Sequence, residues 1–87
     1  MNLGAEIHAR LAKLDPESID LVDESGKHVG HEGSRNGGSH FNLVIVSPRF
    51  TGKTTIARHR MVYEALGDLM QREVHALAIR ALAPDEL

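Results

Sequence analysis

Five of the eight glycines fall between Gly26 and Gly38, inside the stretch DESGKHVGHEGSRNGGSHF, and a strand-like segment stands on each side of it. That arrangement predicts a hairpin with a long connection. Structureless connections of this length inside compact domains usually bind something or are disordered. Three of the six histidines, His28, His31 and His40, punctuate the same stretch, and the chain has no cysteine. The absence of thiols excludes disulfides, thiol redox catalysis and any Cys-based zinc site, leaving histidine as the main nitrogen donor. Any thiolate at a soft metal centre here must come from another molecule.

The apolar pattern around the connection alternates between helical and strand periods. Leu3, Ile7, Leu11 and Leu14 recur at helical spacing, with Asn2 placed to cap the first turn and Asp15-Pro16 to close the last. Ser18 to Glu24 reads as a strand, with Val22 breaking the alternation of Ile19 and Leu21 with Asp20. Phe41 to Ser47 is apolar on both parities past Asn42, the pattern of a strand covered on both sides or lying at a sheet centre. From Thr54 to Arg72 the residues Ile56, Val62, Ala65, Leu66, Leu69 and Met70 mark a longer helix, which Gly67 is placed to break. A final strand runs from Val74 to Leu82, and Pro84 stops it. The order is α-β-β-α-β, an α+β layer with a three-stranded mixed sheet, the first two strands an antiparallel hairpin, and helices on one face.

Eighty-seven residues make a single domain, 1–87, with a thin core. The longest apolar run, Leu43 to Val46, is far too short to span a bilayer, and Met1 to Arg10 lacks a signal-peptide core. A cytoplasmic protein with no membrane partner is expected. The net charge of -2 gives no overall pull toward nucleic acid, but it hides an asymmetry. Leu14 to Ser25 carries Asp15, Glu17, Asp20, Asp23 and Glu24 with no cation, whereas Ser47 to Arg60 carries Arg49, Lys53, Arg58 and Arg60 with no acid. These runs read either as solvated edges or as binding surfaces.

Several motifs are incomplete. Gly52-Lys53-Thr54-Thr55 follows a strand and opens a helix, as a phosphate-binding loop does, but Ser47 stands where that motif needs its first glycine, and Pro48, Arg49 and Phe50 follow. His59 and Tyr63 lie one helical turn apart, an arrangement more often a packed polar contact than a catalyst. Arg60 and Glu64 are spaced for a surface ion pair. No serine sits in a nucleophile-elbow spacing and the acids do not pair in a cleft, so no enzyme is expected.

Taken together, Asp23-Glu24-Ser25, the loop histidine, His40-Phe41, Val46-Ser47, Arg49-Phe50-x-Gly52, Arg58-His59-Arg60-x-Val62-Tyr63 and Val74-His75-Ala76-Leu77-Ala78 closely resemble the BolA family, in register from the first helix to about Pro84. The resemblance implies a fold similar to the class II KH domain. It also implies a partnership with a monothiol glutaredoxin, in which a bridged 2Fe-2S cluster is shared for iron-sulfur trafficking or iron sensing; some bacterial members are also transcriptional regulators. By the same resemblance one metal ligand falls on His75. The second falls in the loop on His28, or on His31, because this loop is a few residues longer than the family pattern. His40 falls on a position more structural than ligating. The two remaining donors would be sulfurs, a glutaredoxin cysteine and a bound glutathione, and imidazole can replace thiolate on one iron of such a centre. Ligating imidazoles must be neutral, so acid should compete with iron for His28 and His75 near the ordinary histidine pKa of about 6.5.

Two other readings stand beside this one. Arg49, Lys53, Arg58 and Arg60 at a helix start suit DNA phosphates, although Gly52 is followed three positions on by Thr55 rather than by the second glycine of a KH grip. A His-only zinc site from His28, His31 and His40 is the other. Alone, the chain is expected as a monomer or weak homodimer.

Overall fold

The computed structural model describes residues 2–24, 39–72 and 74–87. In chain order these form α1 (Leu3–Leu11), β1 (Ser18–Asp23), β2 (Ser39–Val46), α2 (Thr55–Leu66), α3 (Leu69–Arg72) and β3 (Val74–Leu82), with single 3-10 turns at Ala12–Leu14, Pro48–Phe50 and Pro84–Glu86. The three strands make one sheet in the order β1-β2-β3. β1 and β2 are antiparallel, β2 and β3 parallel. The mixed sheet and the α+β order agree with the periodicities.

Local chemistry explains the element ends. The Asn2 side chain accepts from the Ala5 N–H at 3.1 Å, satisfying one of the orphan donors of α1. The chain leaves that helix through the 3-10 turn, and Asp15 then takes a left-handed conformation (φ 50°) before Pro16 forbids continuation. Thr54 caps α2 by accepting from the Ala57 N–H at 3.1 Å. The long predicted helix is broken where the glycine falls. Gly67 ends α2 at φ 57°, ψ -130°, a region closed to residues with a Cβ. A Cβ there would also come within 3.3 Å of Arg10 Nη1. That guanidinium donates to the Leu66 carbonyl at 2.8 Å and to Asp68 at 2.7 Å, so the end of α2 is closed by a side chain from α1.

All the helices lie over one face of the sheet. Ile7, Leu11 and Leu14 from the first helix and turn, Phe50, and Val62, Ala65, Leu66 and Leu69 from the later helices form the core with Phe41, Leu43 and Ile45 of β2. Ile19 and Leu21 of β1 and Leu77, Ile79 and Ala81 of β3 pack against it. β2 is the central strand, and the described helices lie over one of its faces; on the other parity Val44 is half-exposed and Val46 is buried.

Ser47 is the one buried polar residue among those described. Its hydroxyl donates to the Leu14 carbonyl at 2.5 Å and accepts from the Arg49 N–H at 3.1 Å, joining the end of the first helical segment to the turn after β2. Ser47→Ala removes both bonds and leaves a carbonyl and an amide without their partner. It should cost about 1–3 kcal/mol, read as a lower urea midpoint with an unchanged slope.

Candidate functional site

The functional geometry begins at one end of the sheet. β1 runs toward Glu24, whose N–H donates to the His40 carbonyl at 2.7 Å, and β2 starts at Ser39, which pairs with Val74 at the start of β3. The glycine-histidine connection therefore leaves and re-enters the sheet at the end where His75 lies. β1 and β3 are two strand spacings apart, so the backbone at Glu24 stands about 10 Å from that of β3. His28 and His31 lie outside the described residues, and His75 is described by its backbone alone. Among the described residues no cluster of His, Asp and Glu is set to hold a metal by itself.

At His75 the ladder is irregular. Ser39 pairs with Val74 but His40 pairs with Ala76, so the register skips a residue of β3. Alternation in the sequence sets His75 on the parity of Leu77 and Ile79. The skip ends that alternation, and accordingly Val74 is buried although it stands an odd number of residues from the core-facing Leu77. Bulges of this kind re-aim side chains and recur beside functional sites.

The basic segment divides into cations with different tasks. Arg58 is the least exposed, its side chain retaining 11% of its accessibility. Its guanidinium forks onto Glu86 at 2.6 and 2.9 Å and also donates to the carbonyls of Ala81 at 3.0 Å and Lys53 at 3.0 Å. Grouping Arg58 with phosphate-facing cations on charge alone misplaces it: its donors tie the start of α2 to the end of β3 and the C-terminal turn. Arg49 pairs with Asp15 at 2.7 Å, so the acidic and basic runs meet at the surface. Both side chains stay more than half exposed, and a pair of this kind is weak. Lys53 and Arg60 are exposed and have no ion pair among the described residues.

Glu86 shows the strength of its clamp. The Arg58 fork, helped by the Ala83 N–H, lowers its carboxyl pKa to about 2 from an ordinary 4.5. The stabilisation is complete above the ordinary value and is lost as pH falls from there through about 2. Glu86→Gln should therefore lower the thermal midpoint at neutral pH, and the gap to the unmodified chain should close on acidification toward pH 2.

The phosphate-loop reading does not survive the geometry. Ser47, at the position of the missing glycine, is buried, and Phe50 is fully buried. Pro48–Phe50 is a 3-10 turn rather than a loop that wraps an anion. Gly52 has φ 77° and serves the turn before α2. His59 is half-buried and Tyr63 exposed on that helix, and Arg60 and Glu64 are exposed with no ion pair among the described residues. Of the three histidines considered for a zinc site only His40 is described, and its side chain is half-buried.

This frame matches known proteins. The BolA-like protein family profile fits residues 11–86. The solved BolA domain of SufE1 from Arabidopsis thaliana superposes with a TM-score of 0.84 at 41% identity, covering 100% of this chain and 98% of that one. BolA-like protein 1 of Mus musculus is 44% identical over 92% of this chain and 57% of its own length. A protein of Escherichia coli named DNA-binding transcriptional regulator BolA is 44% identical over 78% of this chain and 62% of its own. This chain thus spans less than two thirds of either curated relative. It belongs to the BolA family.

Proposed function

We propose that this protein is a non-enzymatic, cytoplasmic partner of a monothiol glutaredoxin, contributing His75 and one of His28 and His31 to a 2Fe-2S cluster held jointly with that partner and glutathione, in iron-sulfur trafficking or iron sensing. The observation that carries this reading is topological: the ends of the histidine-bearing connection and the irregular start of β3 meet at one end of the sheet. The donor set fits half of such a centre, since imidazoles can occupy one iron and this cysteine-free chain requires the sulfurs to come from elsewhere. When bound, the cluster would supply an electron-accepting, acid-labile iron centre. This chain's own task is to present neutral imidazoles and a docking edge.

The test is reconstitution with a monothiol glutaredoxin and glutathione, followed by visible absorption and circular dichroism. His75→Ala should abolish the spectrum of the mixed complex, and of His28→Ala and His31→Ala only one should do the same. An unchanged spectrum in His75→Ala overturns the assignment.

A second reading is DNA binding, favoured by the name of the Escherichia coli relative and by the exposed Lys53 and Arg60 beside the start of α2. Its mark is a salt slope that falls by about 0.9 for each phosphate contact removed. Titration of Lys53→Ala and Arg60→Ala against a DNA fragment across salt reads it.

A further inference from the structure

On the face of the sheet away from the helices, the end that carries Val46 is closed, Val46 being 3% exposed, but the rest has no cover among the described residues. Ser18, Asp20 and Val22 of β1 are exposed on this face, Val22 at 44%. Asn42 and Val44 of β2 are half-exposed, and Ala76, Ala78 and Arg80 of β3 are exposed. The pairing register arranges these side chains in rows across the strands. One row is Asp20, Val44, Arg80; the next is Val22, Asn42, Ala78. Neither Asp20 nor Arg80 is ion-paired to another described residue.

Each row is complementary to its own reverse. A two-fold axis lying over β2, parallel to it, lays β1 of one copy over β3 of the other and keeps every row in place. Asp20 then faces Arg80 twice, Val22 faces the small Ala78 twice, and Val44 and Asn42 meet their own counterparts at the axis. Sheets stack face to face about 10 Å apart with strands within about 30° of alignment, which suits these side-chain sizes. The arrangement has the self-complementary form of an isologous interface.

We propose that this open face is the contact between two copies of the chain, with the Asp20–Arg80 pairs setting its register. The inference stands independently of the cluster reading, which concerns the start of β3 and the connection between β1 and β2. Three strands of this length present roughly 300 Å² in projection, well short of the roughly 800 Å² per partner of a stable complex. The dimer is therefore weak and depends on concentration.

Sedimentation velocity and amide chemical shifts, followed from micromolar to millimolar protein, test it. The unmodified chain should dimerise with shifts confined to the open face. Asp20→Arg and Arg80→Asp replace attraction by like-charge repulsion and should each weaken association by about tenfold or more, while the double reversal Asp20→Arg/Arg80→Asp should restore it. Both residues are exposed, so the variants retain the fold, which unchanged far-ultraviolet circular dichroism verifies. A chain monomeric throughout the range, shifts centred on another surface, single variants that associate normally or a double variant that does not recover would each overturn the proposal.

Discussion

Phe50→Ala should lower the unfolding free energy by about 3–5 kcal/mol, the usual cost of emptying a large buried aromatic site. Phe50 is fully buried and belongs to the core, yet it sits in a 3-10 turn between β2 and α2. Its N–H donates to the Ser47 carbonyl at 3.1 Å, and its carbonyl accepts from Lys53 at 3.0 Å. The ring is therefore held by a short connection anchored at both ends, and the neighbouring backbone has little freedom to collapse into the cavity. A domain of 87 residues has a total stability of about 4–13 kcal/mol, so the loss is a large fraction of the whole. Urea unfolding followed by circular dichroism reads it, and Phe50→Leu, which keeps most of the volume, should cost clearly less. A loss under about 1 kcal/mol would contradict the packing described.

Leu11→Ala should cost about 2–5 kcal/mol, with its first consequence in α1. That helix has nine residues, too few to persist alone in water. It owes its existence to the side chains it docks, Ile7 and Leu11, both fully buried. The Asn2 cap and the Arg10 bridge add polar contacts to a helix already seated, and neither replaces the lost apolar surface. Amide exchange in Leu11→Ala should therefore accelerate over residues 3–11 before it does over β2.

Much of the fold was legible because its signals are local. The spacing of Leu3, Ile7, Leu11 and Leu14 follows directly from the helical repeat, and the breaks at Asp15-Pro16 and Gly67 follow from the dihedral angles those residues favour or permit. The boundaries of β2 were less legible: the strand starts at Ser39, two residues before its apolar run, because pairing with β3 extends the ladder beyond the apolar pattern. The site divides the same way. The glycine-histidine connection was visible in composition, but that its flanking residues Glu24 and Ser39 fall at the sheet end where β3 starts depends on a parallel pairing between strands separated by two helices.

Arg58 and the open face mark the limit of local reading. In the sequence Arg58 looks like Arg60, and only the return of the chain 28 residues later brings Glu86 to it. Asp20 and Arg80 are unremarkable singly; a shared row makes them a pair, and that row exists only once both registers are set. What the amino-acid order determined by itself was the period, parity and punctuation of each element, since these arise from backbone geometry and solvent preference within a few residues. What the tertiary structure decided was which charges are consumed, which histidine backbone falls in a ladder irregularity and which rows of side chains the described helices leave exposed. These depend on distances between residues remote in the chain, and the packing of the common core sets those distances.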